Sequence, residues 1–496
     1  MRIAMLSWES LHSIAVGGVA AHVSELAEAL AINGHEVHVF TRATDRPSPK
    51  SPPPGYQLIG GVHYHLCEYE QCDDFLDDIN NMCRRLARAF LETEDYIGQA
   101  FDIVHAHDWL TANAMIWIKQ VRGRRCVLTI HSTEYARCGN CFPDGRPAQV
   151  REQERAGTYW ADRVIAVSGI TRDEVQWMYN VPTWKTAVIH NGVHPQRFQL
   201  NEDPGAIKAR YQIGPLDPTV LFCGRLAHQK GPDLLLETVP AVRSFSPNAR
   251  FVFVGDGDMR RSIEHRAAEL SVTDAVRILG YRNGRELPQL YHMADLVCVP
   301  SRNEPFGIVV LEAWSAATPV VVTHVGGPAE YVDHDVNGLK VAPDPDDIAH
   351  GIRTVFENFD HARRMGRRGL EDVQTHFNWS TIAEHTLSIY DPDYAAQLRE
   401  AVLETPPPEL TGPFQTHGPG EAKDARFRQH DHQIPETPIT PTRTPVNADA
   451  PLISVNGSDY SHSTADAHRI STTAPRTAAS PKNSGNGAKG RHLRQR

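Results

Sequence analysis

"DLVCVPSRNEPFGIVVLEAWSAA", residues 295–317, runs a strand, a turn and a helix together with no spare linker. Leu296, Val297, Cys298 and Val299 form a short apolar run, the pattern of a strand buried on both faces in a parallel sheet. Residues 302–307, Arg-Asn-Glu-Pro-Phe-Gly, break that run, and from Ile308 the apolar residues resume as a helix. A buried strand feeding a helix through a tight turn is half of a βαβ unit.

The same alternation extends in both directions. "TVLFCGRLAHQKG" (219–231), "RFVFVGDG" (250–257), "VRILGY" (276–281), "PVVVTHVGG" (319–327) and "GLKVAP" (338–343) complete one doubly wound block. An earlier block holds "RIAMLSW" (2–8), "EVHVFTR" (36–42), "DIVHAHD" (102–108), "CVLTIHS" (126–132), "RVIAVS" (163–168) and "TAVIHNG" (186–192). Its first helix spans about Gly18 to Ala31, with Val19, Val23, Leu26, Ala27 and Leu30 on one face and Asn33-Gly34-His35 as its stop. Periodicity lapses at "NGVHPQRFQLNEDPG" (191–205), the join. The reading is α/β: two Rossmann-like domains facing a cleft, at residues 1–195 and 196–377, with C-terminal helices at 378–402 returning to the first domain. Residues 403–496, rich in Pro, Thr, Ser, Gly and Asn, are expected to be a disordered tail, because so few aliphatics cannot offset the entropy of ordering.

Composition removes other classes. A net charge of −10 argues against a nucleic-acid surface spread over the whole chain, and no apolar run approaches the ~20 residues of a membrane span. The N-terminus lacks the pattern of a secretory leader, so a cytoplasmic protein without an integral membrane segment is expected. The eight cysteines are dispersed, which does not fit a disulfide scaffold.

Ligands of open α/β sheets bind at the carboxyl ends of strands, and there the chemistry gathers. Gly17 and Gly18 join the first strand to its helix, either as a bare turn or as a close approach to an anion. Arg225 and Lys230 follow a strand and suit a diphosphate clamp, with a solvated basic loop as the bland alternative. The helix start at Phe306 and Gly307 turns amides toward the same cleft, flanked by Glu304 and Glu312. Diphosphate has no use for carboxylates, but sugar hydroxyls do, so the segment is expected to hold a sugar nucleotide. The spacing of eight places the two glutamates two helical turns apart on one face.

Taken together, "GRLAHQKG", "SRNEPFGIVVLEA" and "THVGGPAEYV" resemble the retaining glycosyltransferases of the GT-B fold, in the group that includes glycogen synthases, over roughly residues 1–400. The resemblance implies that Glu304 contacts the donor sugar, Glu312 the ribose, and Arg225 and Lys230 the diphosphate. It further implies that His131, after "RCVLTI", lies beside the donor sugar, and that His107 and Asp108 shape the acceptor side. The expected activity is transfer of glucose from an ADP- or UDP-sugar to an α-glucan or another carbohydrate acceptor. No cofactor beyond that co-substrate and no metal is implied. Ala15-Val16-Gly17-Gly18-Val19 lacks the lysine that bacterial glycogen and starch synthases carry in this loop, which leaves the donor base open. A sugar-nucleotide epimerase and a catalytically dead glucan-binding scaffold are the rival readings. "CGNC" (138–141), "DGD" (256–258) and "DDFLDD" (73–78) read as a loop without metal, a turn, and a solvated acidic helix face.

Overall fold

The computed structural model describes residues 1–43 and 54–391. The expected tail at 403–496, together with 392–402, lies outside them. The first sheet holds β1 (Arg2–Ser7), β2 (Glu36–Arg42), β3 (Gly55–Ile59), β4 (Val62–Cys67), β5 (Ile103–His107), β6 (Arg125–Ile130), β7 (Arg163–Ala166) and β8 (Thr186–Val188). Its order is β3-β4-β2-β1-β5-β6-β7-β8, parallel throughout except for β3 against β4. The second sheet holds β9 (Thr219–Cys223), β10 (Arg250–Val254), β11 (Val276–Gly280), β12 (Leu296–Val299), β13 (Val320–Thr323) and β14 (Leu339–Val341), ordered β11-β10-β9-β12-β13-β14 and wholly parallel. Two parallel sheets flanked by helices are the α/β architecture expected from the alternation. In both sheets the order turns back beside the first strand, the switch point where the strand ends open a crevice.

The hairpin β3–β4 is an element the alternation did not reveal. Gly60 and Gly61 take φ of 58° and 80°, the primed turn that suits strand twist. "DLVCVPS" forms β12 as expected, with all four strand residues buried, and the following helix runs Ile308–Ser315. Glu304 therefore precedes the helix, and the spacing of eight to Glu312 is a loop distance followed by one turn of helix, not a helical stripe.

The helix Gly18–Ile32 buries more than one face, including His22, Ser24 and Glu25. The reason is the last helix, Trp379–Tyr390, which packs against it. Glu25 accepts from Trp379 Nε1 at 2.5 Å and pairs with Arg197, so its charge is compensated where it is buried. Tyr390 pairs through its hydroxyl with His105 Nδ1 on β5 at 2.6 Å. The chain thus passes from the first sheet to the second and back, and the two crossings touch: Val193 N donates to Phe377 O at 2.9 Å, beside a bridge from Val193 to Asn378.

Candidate active site

Three segments converge on Glu304, one on its backbone carbonyl and two on its carboxylate. Gly231, at φ 64°, ends the loop after β9, and a Cβ there would come within 2.1 Å of Pro300 O. That approach seats Lys230 against Glu304: Lys230 Nζ donates to Oε1 and Oε2 at 2.7 and 2.8 Å. From the other side Gly326, at φ 77°, would bring a Cβ to 2.0 Å from Glu304 O, and Gly327 N donates to that same carbonyl at 2.7 Å. Only glycine fits at either position. Ser301 Oγ supplies a third bond to the carboxylate at 3.0 Å, and Glu304 is 5% exposed.

Arg225 is exposed and reaches Gln229 Oε1 at 3.3 Å. Phe306 is buried, and Gly307, at φ 88°, caps the helix Ile308–Ser315 without a side-chain bond. Glu312 accepts from Tyr291 at 2.5 Å; burial pushes its carboxyl up to about 7, and that bond restrains the rise.

The first domain meets this cluster directly. A Cβ on Gly18 would lie 3.0 Å from Ile308 Cδ1, and Asn303 Nδ2 donates to Asn140 Oδ1 at 3.0 Å. Glu330 reaches back across the cleft, accepting from Gly169 N and Ile170 N at 2.8 and 2.7 Å, at the start of the helix Gly169–Tyr179. A carboxylate at a helix N-terminus is favoured by the unpaired amides and the helix dipole. The amides beside Gly17 are differently engaged than expected. Glu9 Oε2 accepts from Val16 N and Gly17 N at 2.5 and 2.8 Å, so the loop carries its own anion.

Asp108, held at φ 58°, is buried and accepts from His131 N at 2.7 Å. Burial pushes its carboxyl up to about 6. His131, partly exposed, lies 3.2 Å by Nε2 from His107 Nδ1, and burial lowers its pKa to about 3. Both imidazoles are neutral near pH 7.

Residues 205–372 match the family model described as glycosyl transferases group 1, and residues 16–197 match that of glycosyltransferase family 4. A glycosyltransferase of Methanocaldococcus jannaschii, itself uncharacterised, is 37% identical over 79% of this chain and 98% of its own length. The chain belongs to the group 1 glycosyltransferases. A glycogen synthase of Mycobacterium tuberculosis is 31% identical over 79% of this transferase and 94% of its own length. A D-inositol 3-phosphate glycosyltransferase of Saccharomonospora viridis is 30% identical over 77% and 90%. Among solved structures, sucrose-phosphate synthase of Thermosynechococcus elongatus superposes with a TM-score of 0.66 at 26% identity, over 80% of this chain and 99% of that one. The catalytic domain of Arabidopsis thaliana starch synthase IV, bound to ADP and acarbose, has the same fold at a TM-score of 0.64 and 18% identity, over 79% and 99%. These neighbours identify the two facing sheets of the transferase as a GT-B fold.

Of the residues singled out from sequence, Lys230, Glu304, Phe306 and Gly307 form one contiguous cluster, and His107, Asp108 and His131 form another. Glu9, Ser301, Tyr291 and Glu330 were missed. Glu9 and Glu330 act through backbone amides and Tyr291 through a partner 21 residues away, while Ser301 bonds to Glu304 three residues on, a spacing shared by many turns.

Proposed function

We propose that this transferase moves glucose, with retention of configuration, from a nucleoside diphosphate to an α-glucan, without a required metal and in the cytoplasm. The observation that carries the reading is the Lys230–Glu304 pair, a cation and a buried carboxylate fastened together at the end of β12. It joins a group that suits phosphate to a group that suits sugar hydroxyls within one hydrogen bond. Lys230 and Arg225 neutralise the charge that develops on the departing diphosphate, and the helix amides after Gly307 add to that field. Glu304 accepts hydrogen bonds from donor sugar hydroxyls, and Glu312 from the ribose. His131, neutral and held through its backbone by Asp108, sits beside the donor sugar, while His107 and Asp108 shape the acceptor side. The acceptor hydroxyl attacks from the face the diphosphate leaves. Closure of the domains, with Glu330 on the helix Gly169–Tyr179, excludes water.

The glycogen synthase relative and the starch synthase complex with ADP and acarbose support a glucan acceptor. The inositol phosphate transferases favour a second reading, a phosphorylated polyol acceptor on the same machinery. A screen of UDP-glucose and ADP-glucose against glycogen, maltooligosaccharides, sugar phosphates and inositol phosphate, with product anomers read by NMR, separates these. An α-linked glucan product supports the first reading. Transfer only to a phosphorylated polyol selects the second, and nucleotide release with a changed sugar and no acceptor selects an epimerase and refutes both.

A further inference from the structure

The helix Gly18–Ile32 and the ends of β5 and β6 deliver three imidazoles to one place. One ring nitrogen from each of His22, His107 and His131 lies within 4.8 Å of the other two. His22 and His107 are 3% and 1% exposed, and the Nε2 of each is buried with no hydrogen-bond partner. Buried polar atoms are nearly always satisfied, so the unsatisfied Nε2 of His22, on a ring 4.5 Å from that of His131 and 5.3 Å from that of His107 between centroids, marks a spot that takes a ligand.

The hydrogen bonds say what kind. Asn191 Oδ1 accepts only, and at 2.7 Å it keeps the His22 proton on Nδ1, leaving a lone pair on the buried Nε2. Such a side-chain oxygen behind a ligating imidazole is the usual outer support of a metal site. His107 Nδ1 and His131 Nε2 stand 3.2 Å apart, close to the ~3.3 Å edge of a tetrahedron whose metal–nitrogen bonds are about 2.0–2.1 Å. Burial lowers the pKa of all three rings, so they are neutral and able to ligate near pH 7. Among the described residues no other group of histidine, cysteine or carboxylate side chains converges in this way. Cys138 and Cys141 belong to no such group.

We propose that His22, His107 and His131 form a site for a divalent transition metal of the zinc class, and that an ion bound there excludes the donor sugar and inhibits transfer. The exclusion rests on the proposed place of His131 beside that sugar; the binding does not. Three imidazoles leave a fourth position to water.

Cobalt(II) reports such a site through the visible bands of four-coordinate cobalt, without any turnover. Titration of the full chain free of nucleotide is expected to give one visible cobalt per chain, displaced by Zn²⁺. His22→Ala and His131→Ala should each weaken it more than tenfold, and Asn191→Ala about tenfold. Replacing Cys138 and Cys141 by serine should leave the bands unchanged, which separates this site from thiolate ligation and from the histidines of the C-terminal sequence. UDP-glucose or ADP-glucose should release the ion, whereas the free nucleotides should not. Absence of visible bands, or equal binding by the wild type, His22→Ala and His131→Ala, overturns the site; if either variant fails to fold, the other decides. Cobalt retained with sugar nucleotide bound overturns the exclusion alone. Glucose transfer measured in a protein that binds no cobalt leaves the proposed function standing and removes this inference.

Discussion

Replacing Lys230 with Ala strikes both halves of the proposed machinery. Lys230 Nζ spends two donors on Glu304, whose side chain is 6% exposed, while its own is 23% exposed. An ammonium has three donors, which leaves one for a phosphate. Removing the cation from a fully buried pair costs about 3–5 kcal/mol. Here Lys230 is partly solvated and Ser301 keeps its bond to Glu304, so a loss of about 1–3 kcal/mol is expected. Catalysis should suffer more, with kcat down about 100-fold or more, the scale of one lost transition-state contact. The assay is a double-mutant cycle of Lys230→Ala and Glu304→Ala, with urea denaturation for stability and initial rates for turnover. Because the two residues share their bonds, the stability losses should overlap by about 1–2 kcal/mol. Strictly additive losses would show that the pair is not coupled in solution, and near-normal turnover in a folded Lys230→Ala protein would remove the diphosphate clamp.

Glu304→Ala should depress kcat, because the sugar changes most on the way to the transition state, whereas Glu312→Ala should raise the donor KM, because ribose is held alike before and during reaction; kinetics with saturating acceptor check this, and the reverse pattern misplaces the sugar. Glu312 titrates near 7 in the fold against 4.5 in its ordinary state, so its contribution to stability falls as pH rises from about 4.5 to about 7 and is level above that. Since the ionised carboxylate is the better acceptor for ribose hydroxyls, donor KM should fall as pH rises through about 7, and Glu312→Gln should flatten that profile. Ending the chain after residue 403 should leave melting temperature and kcat nearly unchanged, which calorimetry and rate measurements test; a large loss in either contradicts the compositional argument.

Much of this architecture could be read from residues. The runs that became β1, β2, β5 to β8 and β9 to β14 are apolar, short and separated by helical periods, because strands buried on both faces leave little room for polar side chains. The hairpin β3–β4 escaped, although Gly60-Gly61 between "YQLI" and "VHYHL" is a hairpin signal in its own right. The edge strand β3 is largely exposed and β4, inside it, alternates buried and half-buried residues, so neither has the continuous apolar run that marked the others. At the site, Lys230 and Glu304 stood out because each follows an apolar strand run and falls in a motif that carries the family resemblance. Glu9 was not, since a carboxylate that caps amides seven and eight residues later has no pattern to betray it. The double burial of the helix Gly18–Ile32 was hidden for a different reason: its second cover, Trp379–Tyr390, arrives more than 300 residues later.

The contact between Val193 and Phe377 has a bearing on how the halves stay joined. With two passages of chain running side by side and hydrogen-bonded there, the halves are joined like a door on two pins, not like a bead on a string. Cutting one pin leaves the other, along with the grip of Trp379 and Tyr390 on Glu25 and His105. A protease that nicks the polar stretch after Phe198 should therefore yield two fragments on a denaturing gel and a single particle on a sizing column.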